Sequence, residues 1–252
     1  MSLDSDTRAC FVERAMETQT PRILSLHIGQ PRELGTPGAA NPLERPWTSG
    51  IFKEPVQGPV WLSRTGLAGD GQADLRVHGG PEKAVFAYAS VHHAFWREQL
   101  GRADLGPGAF GENWVLSGGA EDSVCIGDVL KVGRAHVQVS QPRQPCWKPA
   151  RRWGSKELSL LIQQTGRTGW YYRVLEEGEV QAGDVLELVE RPCPRFTIAF
   201  ANQAMHGHRP EDAAALAECL LLTPRWRESL QRRITGTPGD DRPRLVGPNQ
   251  ES

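Results

Sequence analysis

The sequence predicts a mainly β protein with some α, a barrel-like β domain followed by a small three-helix bundle. Two observations lead there. Gly and Pro, 27 and 19 of 252 residues, are frequent but aperiodic, which places them in turns between short strands rather than in a fibrous repeat. Period-2 alternation dominates up to Arg191-Pro-Cys-Pro194, after which the apolar residues recur at helical spacing.

A chain of 252 residues with 38% hydrophobic content buries one good-sized core and has room for a small second one. The formal net charge of -1 gives no global electrostatic reason to expect nucleic acid or a membrane surface as partner. No apolar run is long enough to span a bilayer, and Met1 to Thr20 carries Asp4, Asp6, Glu13 and Glu17 where a signal peptide would be basic and then apolar. A cytoplasmic location is the expectation. The cysteines, Cys10, Cys125, Cys146, Cys193 and Cys219, form no C-x-x-C pair, which argues against a zinc finger or iron-sulfur cluster and for reduced thiols.

Residues 1–22 read as a flexible segment. Leu24, Leu26 and Ile28 alternate with Ser25 and His27, the signature of a half-buried strand that starts the β domain, residues 23–194. Pro31 to Pro59 is a long irregular stretch, of the kind that forms a functional lid or a disordered insert. Lys83 to Ala89 reads as a buried strand, followed by Ser90 as a helix N-cap, Val91 and Phe95 on one helix face, and Gly101 as the stop. The clearest β signal is a hairpin, Val129 to Val132 and Ala135 to Gln141 around a Gly133-Arg134 turn. Gly-Asp-Val-Leu occurs at 127–130 and at 183–186, which predicts two related corners of one sheet. Between them, Leu158, Leu161 and Ile162 predict a short helix.

Residues 195–235 predict three helices: one from Thr197 to Gly207, one opening at Pro210, and one capped by Thr223 with Trp226, Leu230 and Ile234 as its apolar stripe. This bundle serves either dimerisation or cover of a pocket. The Pro/Gly-rich tail, residues 236–252, is expected to be disordered.

The segment that points to chemistry runs from Val139 through Gln141, Arg143, Cys146 and Lys148 to Pro149; a strand ends there, and a cysteine sits among three prolines that stiffen its backbone. From Val129 to Lys156 there are seven Lys or Arg and no Asp or Glu. Positive neighbours favour thiolate over thiol, and the thiolate is the form that binds metals or attacks electrophiles. The arginines can also grip a phosphate with paired hydrogen bonds. These features leave a second reading open, with Cys146 as a small buried hydrophobe and the basic residues as a solvated face. Arg76-Val-His78-Gly-Gly-Pro81 sets a histidine before a glycine pair that either presents main-chain N–H groups to an anion or simply turns the chain. Phe110-Gly-Glu112-Asn113-Trp114 places a carboxylate and an amide at a strand entry, serving either a site or local capping.

Together these motifs, with Gln164-Thr-Gly-Arg-Thr-Gly-Trp170-Tyr171 after them, resemble the MOSC family (molybdenum cofactor sulfurase C-terminal domain), and most closely its YiiM-like branch, over roughly Ile23 to Ile234. The resemblance implies a β-barrel-like fold with a C-terminal three-helix domain, a molybdopterin-type molybdenum cofactor, and Cys146 as the protein ligand of the metal. It further implies reduction of N-hydroxylated small molecules such as 6-hydroxylaminopurine, a two-electron, two-proton cleavage of an N–O bond that releases water. On that basis His78, Glu112 and Asn113 orient the substrate or supply a proton, while Arg143, Lys148, Gln141 and Arg76 hold the cofactor. The chain has no cluster-binding cysteine set and no glycine fingerprint for flavin or nicotinamide, so a separate electron-donating reductase, a flavoprotein, is the expected partner. The sequence departs from the usual pattern at Trp114, where leucine is commoner, and in its longer segment before Pro59.

Two other classes stay open beside the reductase: a protein that binds the cofactor, or carries sulfur as a Cys146 persulfide, without turnover, and an accessory domain to a pyridoxal-phosphate enzyme. A cysteine hydrolase is disfavoured because no histidine is tied to Cys146 by a recognisable signature.

Overall fold

The computed structural model describes residues 20–75 and 78–249. Its strands are β1 (Arg22–Ile28), β2 (Arg32–Leu34), β3 (Trp47–Ser49), β4 (Glu54–Val56), β5 (Val60–Ser63), β6 (Gly66–Leu67), β7 (Val85–Ala89), β8 (Trp114–Ser117), β9 (Val129–Val132), β10 (Ala135–Pro142), β11 (Trp170–Glu176), β12 (Gly178–Val180) and β13 (Leu186–Glu190). The helices are α1 (His92–Leu100), α2 (Lys148–Trp153), α3 (Leu158–Thr165), α4 (Ile198–His206), α5 (Pro210–Ala217), α6 (Pro224–Ile234) and a single turn α7 (Arg242–Leu245).

Eight strands form one sheet in the order β13-β9-β10-β11-β7-β8-β1-β4, in which the β7–β8 pair is parallel and the others are antiparallel. The sheet curls back on itself: Arg22 bridges Val185, and the Ile23 amide donates to Asp184 at 2.9 Å. The repeated Gly-Asp-Val-Leu phrases open β9 and β13, which pair directly, with Leu186 opposite Val132. The hairpin β9–β10 forms as its alternation predicts.

β1 is a strand, but its buried residues are Ile23, Leu26 and His27, while Leu24 is 51% exposed. A register shift between Ile23 and Ser25 against β8 inserts an extra residue, so the simple alternation of Leu24, Leu26 and Ile28 does not hold. α1 starts at His92 rather than under a Ser90 cap, and buries His92, His93 and Trp96, with Val91 exposed.

The helical part packs directly on the barrel. Ile198, Ala201, Leu216, Trp226 and Leu230 share one continuous core with Ile126, Val137, Tyr172 and Leu186 of the barrel, so residues 195–235 cap the same hydrophobic interior. A second cluster, Phe86, Tyr88, Trp96, Phe110, Leu158 and Ile162, fills the other face of β7 beneath α1 and α3. The stretch from Pro31 to Pro59 is ordered, containing the β2–β3 hairpin and β4. The tail is ordered to Asn249 as well, with α7 and a 3-10 turn at Gly247–Asn249; the expectation of disorder from residue 236 ignored the polar anchors described below.

Candidate functional site

β10 runs through the middle of the sheet and ends at Pro142; Cys146 follows in an extended turn before α2, whose first residues are Lys148 and Pro149. Cys146 is partly exposed and lies on the shared wall of two adjoining cavities, which settles the choice between a walled-off sulfur and an accessible one. The larger cavity, about 760 Å³, extends toward α6 and the tail; the smaller, about 90 Å³, reaches into the barrel. His78, Lys83, Lys148 and Tyr171 line both.

The barrel side of the site is rigidly built. The Arg143 amide donates to Gly169 at 3.0 Å, and its guanidinium stands over the Phe86 ring, 5.3 Å from its centre, although the residue is only 5% exposed. Asn113 is a cross-link: its carbonyl accepts from the Phe86 amide at 3.1 Å, and its amide donates to His27 O at 3.2 Å and to Asp70 at 3.0 Å. Asp70 also accepts from the Gly29 amide and pairs with buried Lys53, tying the segment 50–72 to the sheet behind the smaller cavity. Gly79 and Gly80 both have positive φ, and a Cβ on Gly79 would meet the Gln72 side chain at 2.6 Å, so the glycine pair is required to bring His78 onto the cavity wall.

Cations crowd the wall around Cys146, although Asp74, Asp240 and Asp241 also line the larger cavity. Burial, then Lys148, Lys83 and Arg143, pull the pKa of His78 down to about 3, so this ring is neutral at ordinary pH. Burial and Arg225 lower Lys83 to about 8, with Cys146 pulling the other way. Burial pushes the Tyr171 hydroxyl up to about 12 although Arg143 opposes it.

Of the residues singled out in the sequence, Cys146, His78 and Lys148 line both cavities, Asn113 and Arg143 the smaller, and Gln141 the larger. Gln141 is also committed elsewhere, accepting from Thr223 of the helical part at 2.9 Å. Arg76 lies outside the described residues. Glu112 lines neither cavity. It is fully buried, accepts from the amides of Gly108 and Phe110 at 2.8 Å each, and faces His93 at 3.3 Å. Burial opposes its ionisation, but His93 and the backbone donors outweigh that and hold its carboxyl below the usual range. Glu112 therefore shapes the 108–112 loop rather than reaching a ligand. Its position before a strand, as a local cap, was the other reading its sequence allowed.

Sequence reasoning missed Lys83, Arg225, Trp226 and Arg232, which the fold brings to the larger cavity from the turn before β7 and from α6. A signal was present: Arg225, Ser229 and Arg232 fall at i, i+4 and i+7, a polar stripe beside the Trp226–Leu230 apolar one. Trp47 and Thr48 of the Pro31–Pro59 stretch also line this cavity, which gives that stretch the role of a fixed wall.

A bulky anionic cofactor fits what is present. The cavity is large, cations border it, the thiol is reachable, and Trp226 on its wall carries a buried indole N–H with no hydrogen-bond partner. Among the described residues no three His, Cys, Asp or Glu side chains converge to hold a metal ion. A metal at Cys146 would therefore need its other ligands from a cofactor. No helix among the described residues is long and apolar enough to cross a membrane.

The MOSC domain family matches residues 74–187, which contain His78, Asn113, Cys146 and Tyr171. Protein YflK of Bacillus subtilis (strain 168) is 43% identical over 221 residues, covering 86% of this chain and 96% of YflK. A protein of Gibberella moniliformis named "Reductase" is 37% identical over 196 residues, covering 76% of this chain but 35% of that longer protein. The crystal structure of YiiM from Geobacillus stearothermophilus superposes with a TM-score of 0.70 at 38% identity, covering 85% of this chain and 99% of that one. The motifs, the curled sheet with its helical cap and these likenesses agree: the chain belongs to the MOSC domain family, in its YiiM-like branch.

Proposed function

We propose that this protein is a molybdenum-cofactor-dependent reductase of N-hydroxylated compounds, with Cys146 as the protein ligand of the metal. The observation that carries the reading is the placement of one reachable thiol where two cavities meet, among Lys83, Lys148, His78 and the nearby Arg143. The larger cavity takes the cofactor, with Lys148 and Arg225 facing its phosphate. The smaller one takes the reducible end of the substrate, between Phe86, Phe110 and Tyr171, against which a planar base can stack.

When bound, the molybdenum centre supplies the two-electron redox chemistry. The chain's own residues orient and protonate. Neutral His78 exchanges hydrogen bonds with the hydroxylamino group, and Lys83, charged at neutral pH, delivers a proton to the departing oxygen. In balance, R–NH–OH takes up two electrons and two protons and leaves as R–NH2 and water. The electrons come from a separate reductase, a flavoprotein.

The test is molybdenum content of the purified protein together with reduction of 6-hydroxylaminopurine by an artificial electron donor. Cys146→Ser is expected to lose both; a fully active Cys146→Ser protein ends the proposal. The partial exposure of the thiol also suits a sulfur carrier, which mass spectrometry would reveal as a sulfur-sized increment on Cys146 without turnover.

A further inference from the structure

The tail after α6 returns to the cysteine loop and fastens on the two residues that flank Cys146. Arg244 Nη1 donates to the carbonyl of Pro145 at 2.5 Å, and the Trp147 amide donates to the carbonyl of Arg244 at 2.8 Å. Arg244 Nη2 donates to Gln163 Oε1 of α3 at 2.7 Å, and α3 also sends the Ser159 hydroxyl to the carbonyl of Cys146 at 2.6 Å. Three consecutive residues, 145 to 147, are thus each held through a main-chain group by α3 or the tail. Pro145 has no N–H, so its carbonyl is the backbone handle at that position.

The tail is braced beyond this contact. Asn249 donates to the Trp147 carbonyl at 3.2 Å and accepts from Arg151 at 2.7 Å. Gly247, at φ +51°, lies so close to the Trp147 indole that a Cβ would stand 2.3 Å from its ring. A Pro/Gly-rich polar terminus ordinarily frays. Here Leu245 supplies a buried apolar anchor, and polar contacts gather on Pro145, Trp147, Arg151 and Gln163.

We propose that Arg244 is a positioning residue for Cys146, fixing the direction of its thiol into the two cavities, and that the segment 238–249 belongs to the functional site. Its bearing on turnover rests on the reading of Cys146 as the functional sulfur, but its test needs no cofactor. In cofactor-free full-length protein, alkylation by iodoacetamide is followed at each cysteine by peptide mass mapping. Arg244→Ala is expected to raise the Cys146 rate about fivefold, the factor for loss of one net hydrogen bond from a local opening equilibrium, while Cys125, Cys193 and Cys219 keep their rates. Arg244→Lys restores the rate in part, because an ammonium does not reproduce the planar fork that meets Pro145 and Gln163 together. Gly247→Val keeps the Arg244 side chain but wedges the tail, and Arg244 with it, away from Trp147 and gives the same selective rise.

An unchanged Cys146 rate in both Arg244→Ala and Gly247→Val overturns the proposal, as does an equal rise at Cys146, Cys125, Cys193 and Cys219. A chain that takes up no molybdenum yet shows the selective rise keeps Arg244 in this role and loses the reductase reading. Molybdenum-dependent turnover with no selective rise does the reverse.

Discussion

The Lys83 ammonium stands 5.8 Å from the centre of the Tyr171 ring, on the wall that both cavities share with Cys146. With its pKa at about 8, its charge is present at neutral pH and lost as the pH rises through that value. Anion binding at the site should weaken over the same interval. Sulfate, which does not titrate there, is expected by calorimetry to bind less tightly to the wild type above that pH, and with a flatter dependence in Lys83→Gln. A pH profile identical in both proteins would place the anion site away from Lys83.

Stability should fall on mild acidification. His78 and His206 are held at about 3 and about 4 against an ordinary 6.5, so between roughly 6.5 and 4 the unfolded chain binds more protons than the folded one. That imbalance lowers stability as pH falls. Urea midpoints near neutral pH and near pH 5 measure it, and Lys148→Met, which relieves His78, should shrink the difference. A midpoint that rises on acidification contradicts the placement of these rings.

Glu112 offers a direct separation of scaffold from chemistry. Glu112→Gln weakens the contact with His93 and the acceptors for two backbone amides, at a cost of about 2 kcal/mol in unfolding free energy. Turnover per bound molybdenum should remain at the wild-type level, because the carboxylate touches neither cavity. A loss of turnover without a loss of stability would return Glu112 to the reaction.

The cysteines should differ sharply toward alkylating reagents. Burial raises the Cys125 thiol, burial and Cys219 hold Cys193 at about 11, and Cys219 itself is buried. Cys146 is partly exposed on a cationic wall and should be labelled first of these four, as read by peptide mapping after brief treatment.

Trp226→Phe removes an indole N–H that has no partner among the described residues while keeping most of the apolar volume. The cavity left by the smaller ring should lower the thermal midpoint by a few degrees, and a ligand held by that N–H should be retained about tenfold less well. Equal retention would assign the unpaired group to the core alone.

The hairpin, the helix stop at Gly101, and the three C-terminal helices were legible in the sequence because turn residues and local periodicity specify them. The motifs around His78, Asn113 and Cys146 were legible as a group, and the fold gathers them. What escaped was long-range. Nothing local to Leu24 announces the bulge in β1, and nothing local to Glu112 says that His93, nineteen residues earlier, will occupy its oxygen. The tail looked disordered because composition weighs apolar content, whereas Arg244 and Asn249 are held by main-chain and side-chain partners about a hundred residues away.

The shared interior of barrel and helices has a practical consequence. Cutting the chain at Arg191–Pro194 should bare Ile126, Val137 and Leu186, which share one apolar cluster with residues of α4, α5 and α6. Such a fragment should aggregate.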